Sequence, residues 1–316
     1  DKPLLEPGLA MLEELVEIPV VGVVPMADID IEDEDSLAER LNRRERKAGT
    51  DIAVIRLPHL SNFTDFDVLE RLDGVSLRYV EEAGELGLPD AVIIPGTKNT
   101  MSDLKWMREN GLADRIRELS ALDIPVVGIC GGFQMLGKRL SDPYGVEHKG
   151  TMDGLGLLDA KTVFSREKVR TRARGRMADS LPGWELLSGA ETEGYEIHMG
   201  VTRNLGGCRE IMYSQEEGHP ALGLGNESGT VIGTYLHGFF DAPGMAERFA
   251  AQVESRKRAE TEPACPVGEV HDWKRYKEEQ YDRLAQLVRS SLDMDKIYEI
   301  LGILKTSELD RTGEHR

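Results

Sequence analysis

Apolar residues recur along this chain with two different periods, and the changes between them outline its elements. Leu5, Leu9, Leu12, Leu15 and Val16 fall at helical spacing and predict a helix running to Val16. The apolar run 19–24 predicts a buried strand. An acidic loop, 28–35, and a basic amphipathic helix, 36–47, with Ser36 as its N-cap, follow. From Gly49 the pattern changes to short continuous apolar runs at 52–57, 76–80, 91–95 and 126–129, which predict strands. Helical spacing at 66–72, 100–110 and 112–122 lies between them. Strand and helix alternating over short connections predict a parallel sheet covered on both faces. Segments 155–165, 172–178, 192–202, 208–213 and 230–236 are strand-rich, and helices are expected at 243–258, 272–291 and 293–302. Pro263 and Pro266 mark 260–270 as a linker. The expected architecture is α/β, a mostly parallel central sheet flanked by helices, with a small αβ unit over 1–48, a main domain over 49–258, and a linker with C-terminal helices over 259–316.

Composition narrows the function classes. A chain of 316 residues with 40% hydrophobic and 30% charged residues is that of a soluble globular protein, with no apolar run long enough to span a bilayer. A net charge of −18 disfavours nucleic acid and anionic membrane as partners. Cys130, Cys208 and Cys265, odd in number and widely spaced, suit a reducing cytoplasm rather than a disulfide framework, and no Cys or His pair has zinc-ligand spacing. The acidic loop reads as a solvated linker, with a metal or nucleotide role as its alternative. The chain opens at Asp1, already inside a helical pattern, which reads as a fragment of a longer product.

Candidate chemistry centres on Pro125-Val126-Val127-Gly128-Ile129-Cys130-Gly131-Gly132-Phe133-Gln134. An apolar strand ends at Cys130, and Phe133, Leu136 and Leu140 predict a helix over 132–140. A cysteine on a sharp strand-to-helix turn is the sulfur counterpart of the G-x-S-x-G nucleophile elbow, and its reactive form is the thiolate. Such a nucleophile needs a base. Gly233-Thr234-Tyr235-Leu236-His237-Gly238 places His237 at the end of another apolar strand, and open α/β sheets present sites at the carboxyl ends of strands. The turn Pro95-Gly96-Thr97-Lys98-Asn99-Thr100 offers backbone N–H groups at Gly96 which, with Gly131, would form an oxyanion hole. It is not a P-loop, and G-x-x-x-x-G-K-[ST] occurs nowhere in the chain. Glu196 and His198, two apart in Gly194-Tyr195-Glu196-Ile197-His198-Met199-Gly200, share a strand face and either line the site or brace it. Arg166, Lys168, Arg170, Arg172, Arg174 and Arg176 stand at period two. On a strand they would form a cationic face, for a polycarboxylate substrate or a neighbouring domain, or merely a solvated one.

These four motifs, in this order, resemble the glutamine amidotransferase part of the cobyric acid synthase family, the cobalamin-pathway branch of the class I (triad) amidotransferases. The resemblance runs from residue 1 to about residue 300, with 1–48 similar to the tail of that family's ATP-dependent, dethiobiotin synthetase-like domain. It implies that Cys130 attacks the side-chain amide of L-glutamine through a thioester, that His237 relays protons, that Gly96 and Gly131 stabilise the oxyanion, and that Gln134 helps hold the glutamyl group. Ammonia would pass to a synthetase domain, in cis or in trans, that uses ATP and Mg to amidate corrin carboxylates b, d, e and g. Glutamine hydrolysis itself would need no cofactor. Two departures stand out. The family's usual glutamate two positions after the histidine is Phe239 here, leaving Glu196 as candidate orienting group and Asp241 as a helix cap. The P-loop region is also missing. The alternatives are a related amidotransferase (cobyrinic acid a,c-diamide synthase or the lipid II isoglutaminyl synthase glutaminase subunit) and a non-catalytic binding module.

Overall fold

A computed structural model of the chain describes residues 2–27, 29–31, 49–216, 218, 220–257 and 272–302. They group into two compact units, one from the described parts of Asp1–Glu32 and Lys274–Arg316, the other from those of Asp33–Trp273. The expected helix over 36–47, most of the acidic loop, the linker 260–270 and Cys265 lie outside the described residues.

In the smaller unit α1 spans Lys2–Val16. The expected buried strand at 19–24 is not formed. The segment is partly exposed with no residue buried, and makes one antiparallel bridge, Gly22 to Leu292, with the Asp293 N–H donating to the Val21 carbonyl at 2.6 Å. A strand needs a ladder on at least one side, and one bridge does not supply it.

The larger unit holds the sheet. Strands β1 (Thr50–Ile55), β2 (Val75–Val80), β3 (Ala91–Ile94) and β4 (Val126–Ile129) alternate with helices α2 (Asp67–Arg71), α3 (Ala83–Leu86), α4 (Thr100–Glu109) and α5 (Leu112–Ala121). After β4 come α6 (Gly131–Leu136), β5 (Arg139–Asp142), β6 (Gly150–Asp153), β7 (Ala160–Met177), β8 (Glu191–Asn204), β9 (Arg209–Ser214), β10 (Gly223–Gly225), β11 (Val231–Thr234) and α7 (Met245–Lys257). The chain closes with α8 (Trp273–Ser291) and α9 (Met294–Ile300). The sheet order is β2-β1-β3-β4-β11-β10-β9-β7-β5-β6, with β8 paired to β7. From β2 to β11 every pairing is parallel; β10, β9 and β7 continue it antiparallel. Strands β1, β3, β4 and β11 are buried along their whole length, as continuous apolar runs in a doubly covered parallel sheet should be.

Three expectations change. The helix after Cys130 ends at Leu136, and Leu140 belongs to β5, parallel to β7: its burial at helical spacing was coincidental. The two strands expected at 155–165 and 172–178 are one, β7, whose pairing with β8 shifts register between Phe164 and Val169. Asp241 ends a 3-10 turn, Phe239–Asp241, four residues before α7 begins, too early to cap it.

At the β1–β2 edge, Asp51 and Arg78 form a buried pair. Arg78 Nε donates to Asp51 at 2.8 Å and its two terminal nitrogens donate to the carbonyls of Glu85 and Leu86, each at 2.8 Å. One guanidinium thus ties two strands to α3. Replacing Arg78 by Met removes a buried cation from the Asp51 carboxylate and two donors from the carbonyls of α3. Urea denaturation should show about 3–5 kcal/mol lost.

Candidate active site

Four connections leave the carboxyl ends of the adjacent parallel strands β1, β3, β4 and β11, and they converge. Cys130 follows β4 in a conformation rare for a residue with a side chain, φ 50° and ψ −105°. The reversal is held tightly. The Cys130 N–H donates to the Thr234 carbonyl of β11 at 2.8 Å, and the Gly132 N–H donates to the Pro95 carbonyl at 3.0 Å. A Cβ on Gly132 would collide with the Ile94 carbonyl oxygen, so helix α6 and the end of β3 approach only because that residue is glycine.

His237 follows β11. It is 1% exposed, and its Nδ1 lies 2.7 Å from Oδ2 of Asp65, while Asp65 Oδ1 accepts the Gly238 N–H at 2.9 Å. Asp65, itself buried, sits in the 3-10 turn Phe63–Phe66 that follows β1. The carboxylate that orients His237 is therefore Asp65, and the expectation for Glu196 is corrected: Glu196 Oε2 faces Nε2 of His198 at 3.2 Å. Phe239 joins an aromatic cluster with Phe240, Phe66 and Phe249 behind the histidine, which explains why no carboxylate is found there.

Burial opposes a charge on His237. The Asp65 carboxylate, by charge and by hydrogen bond, and the Cys130 sulfur on its other side outweigh that and push the imidazole up to about 10. Tyr195 stacks on the imidazole at 5.2 Å and 24°, its backbone bridged to His237 in both directions at 2.9 and 3.1 Å, and its hydroxyl accepts from Asn62 at 2.8 Å. The Ile197 carbonyl, on the same strand, lies 3.6 Å from Cys130 Sγ.

The turn after β3 is decoded residue by residue. Thr97 donates to Asp103 at 2.5 Å, Asn99 caps α4 by accepting from Ser102, and Thr100 reaches Gln134 on α6 at 3.0 Å. Gly96 faces the histidine, since a Cβ there would come 3.0 Å from His237 Cε1, and a Cβ on Gly131 would crowd Thr97. Gly96 thus borders the imidazole, while Gly131 packs against the turn after β3. Gln134 is buried, its amide spanning Thr100 and Tyr235 (Nε2 to Oη 3.4 Å), so it braces the floor of the site. His198 belongs to the same floor: its ring stacks on Tyr235 at 3.8 Å and its Nδ1 lies 2.7 Å from the Gly200 carbonyl. Burial drives the Tyr235 hydroxyl far above its ordinary range.

The basic row is a strand face from Val169 onward. Arg170, Arg172, Arg174 and Arg176 are exposed and stand opposite Ile197, Tyr195, Glu193 and Glu191 of β8. They share the face of Tyr195, which covers His237. Arg174 and Arg176 have acidic neighbours, Glu193 at 3.8 Å and Asp179 at 2.7 Å, whereas Arg170 and Arg172 have no ion pair with a described residue. Arg166 and Lys168 fall in the register shift, where Arg166 lies over the Tyr144 ring at 5.2 Å. Among the described residues no group of three or more His, Cys, Asp or Glu could hold a metal ion, and no helix is long and apolar enough to cross a membrane.

A parallel α/β sheet carrying an elbow cysteine and, on the adjacent strand, a carboxylate-held histidine fits a thiol hydrolase, and the family match makes that class the glutamine-hydrolysing amidotransferases. Residues 51–245 match the CobB/CobQ-like glutamine amidotransferase domain, and the chain belongs to that family. It is 47% identical over 310 residues to the cobyric acid synthase of Ruminiclostridium cellulolyticum and 46% identical over 317 residues to that of Lachnoclostridium phytofermentans, each match covering 95% of this chain. The chain spans 58% and 60% of the length of those two curated relatives. In fold it is similar to the structure of PurLQS from Thermotoga maritima, with a TM-score of 0.50 at 15% identity over 66% of this chain and 98% of that one.

The elevated His237 gives a direct test. Its folded-state value stands above the ordinary 6.5, so the pair's stabilisation is complete below about pH 6.5 and disappears as pH rises through about 10. Nitrogen NMR of the ring should show titration near 10 in the wild type. In Asp65→Asn the midpoint should fall by about 1–3 pH units.

Proposed function

We propose that this chain releases ammonia from L-glutamine by a Cys130 thioester and supplies it to an ATP-dependent amidation of cobyric acid synthase type. The observation that carries the reading is Cys130, on a strained elbow after β4, with His237, which Asp65 holds, following the adjacent parallel strand β11. With His237 already protonated between Asp65 and the sulfur, Sγ reacts as the thiolate and attacks the γ-carboxamide carbon. The oxygen charge of the tetrahedral adduct falls to the N–H groups beside Gly96 and Gly131. His237 then gives its proton to the departing nitrogen, yielding ammonia and a γ-glutamyl thioester. A water, deprotonated by the same imidazole, cleaves the thioester to glutamate and restores the thiolate beside a protonated His237.

The coupled reaction is what the resemblance to cobyric acid synthases implies. Ammonia would amidate carboxylates b, d, e and g of a corrin, taking adenosylcobyrinic acid a,c-diamide to adenosylcobyric acid. ATP and Mg would be held by a synthetase region beyond the sheet described here. The exposed arginines of β7, on the face that covers His237, suit a carboxylate-bearing partner or substrate at the mouth of the site.

A glutamine-analogue chloroketone should alkylate the wild-type chain once and abolish ammonia release, and Cys130→Ser should take up no label by intact-mass measurement. Label that persists in that variant would remove the thioester from the reading. Asp65→Asn should keep the labelled thiol but lower kcat/KM for glutamine by about 10²- to 10⁴-fold, because the imidazole loses its orienting charge.

A further inference from the structure

Thr100 has one hydroxyl proton and two neighbours that the structure places as acceptors. Its Oγ1 lies 3.0 Å from Gln134 Oε1 and 3.1 Å from Glu147 Oε1, and the Thr100 and Gln134 side chains are buried. Glu147 arrives from the loop after β5, where Asp142 accepts the N–H groups of Val146, Glu147 and His148 at 2.8–2.9 Å. Its Oε2 accepts the Met101 N–H at 3.1 Å. Beyond Gln134 the contacts continue from Nε2 to Tyr235 Oη at 3.4 Å, then to Thr202 Oγ1 at 2.6 Å, then to Thr162 Oγ1 at 2.7 Å.

Counting protons along this chain leaves two complete arrangements. With Glu147 neutral, its O–H donates to Thr100, Thr100 donates to the Gln134 carbonyl, the Gln134 NH₂ donates to Tyr235, and the hydroxyls pass the direction on to Thr162. With Glu147 ionised it can only accept, so Thr100 must donate to it. The Gln134 amide must then turn end for end, its NH₂ donating to Thr100 and its oxygen accepting from Tyr235. The oxygen and nitrogen of an amide occupy nearly the same volume, so the turn requires no other heavy atom to move. Gln134 lies one helical turn beyond Cys130, its N–H bonded to the Cys130 carbonyl at 3.0 Å.

We propose that Glu147 is a positioning residue whose charge state selects which end of the Gln134 amide faces Thr100 and which faces Tyr235. Burial raises the Glu147 carboxyl above 4.5, and the Asp142 carboxylate adds to the rise. The N–H of Met101 and the Thr100 hydroxyl oppose it. The exchange of orientation therefore has its midpoint above 4.5. Its consequence for catalysis rests on the glutaminase reading: swapping a donor for an acceptor beside bound glutamine alters KM and leaves kcat alone.

The test is nitrogen–proton NMR of the Gln134 side-chain amide, assigned by its loss in Gln134→Glu, with glutaminase kinetics from pH 5 to 8 alongside. In the wild type the Gln134 pair should titrate with a midpoint above 4.5, and KM for glutamine should change about tenfold through it. In Glu147→Gln the new carbonyl accepts from Met101 and the new NH₂ donates to Thr100, a permanent copy of the neutral acid. The Gln134 signal should then be independent of pH, with KM fixed at the wild-type low-pH value. Thr100→Val cuts the chain and should abolish the titration while Glu147 still ionises. A Gln134 signal that ignores pH in the wild type, or titrates alike in Glu147→Gln, would overturn the proposal, as would substitutions that move only the melting temperature, the mark of a simple helix cap. A chain whose Gln134 titrates as described but which releases no ammonia would instead overturn the glutaminase reading.

Discussion

A carboxylate and an imidazole, each almost wholly removed from water and 2.7 Å apart, set the terms for the rest of this site. Neither group is tolerable there alone. An unpaired imidazolium at that depth would lose its proton, and an unpaired carboxylate would cost several kcal/mol of desolvation. Together they hold one proton firmly on the ring nitrogen facing Asp65, which leaves the other nitrogen for the sulfur. Asp65 also accepts the N–H of Gly238, so a single side chain fixes both the imidazole and the backbone that carries it. That double hold explains how a histidine at the end of a four-residue strand keeps its place without a glutamate behind it.

The sulfur side depends on close approach rather than charge. Helix α6 can begin directly at Cys130 only because Gly132 lets the backbone of β3 come within hydrogen-bonding distance, Gly132 N–H to Pro95 carbonyl at 3.0 Å. The same contact brings the turn after β3 beside the elbow, with Gly96 against the imidazole and Gly131 against Thr97. The strained φ at Cys130 is thereby fixed from three sides: β11 through Thr234, β3 through Pro95, and α6 through Gln134.

The sheet core was legible because its strands are buried on both faces, so that composition alone marks them. Cys130 and His237 were legible because each ends such a strand and is followed by glycine. Asp65 was not. It lies 172 residues from His237 in a 3-10 turn whose sequence, Phe-Thr-Asp-Phe, carries no periodicity and no motif. The one available signal was positional: the segment follows β1, whose carboxyl end opens on the same edge as β3, β4 and β11. Strands β5 and β6 escaped notice because neither is a continuously buried apolar run, and β10 because two of its three residues are glycine. The segment 19–24 failed in the opposite way, having the composition of a strand and no ladder to join.

Strand β8 shows how period two lets one segment serve two chemistries. Its odd-numbered residues Glu191, Glu193, Tyr195 and Ile197 share a face with Arg170 to Arg176 of β7, and there Tyr195 covers His237. Its even-numbered residues Glu196 and His198 face the interior, where His198 lies on Tyr235 and both of its nitrogens meet acceptors, the Gly200 carbonyl and the Glu196 carboxyl. The strand's two faces divide the work: exposed cations on the face of the tyrosine that covers His237, and a buried, hydrogen-bonded row on the other, with the Ile197 carbonyl between Glu196 and His198 held 3.6 Å from Cys130 Sγ.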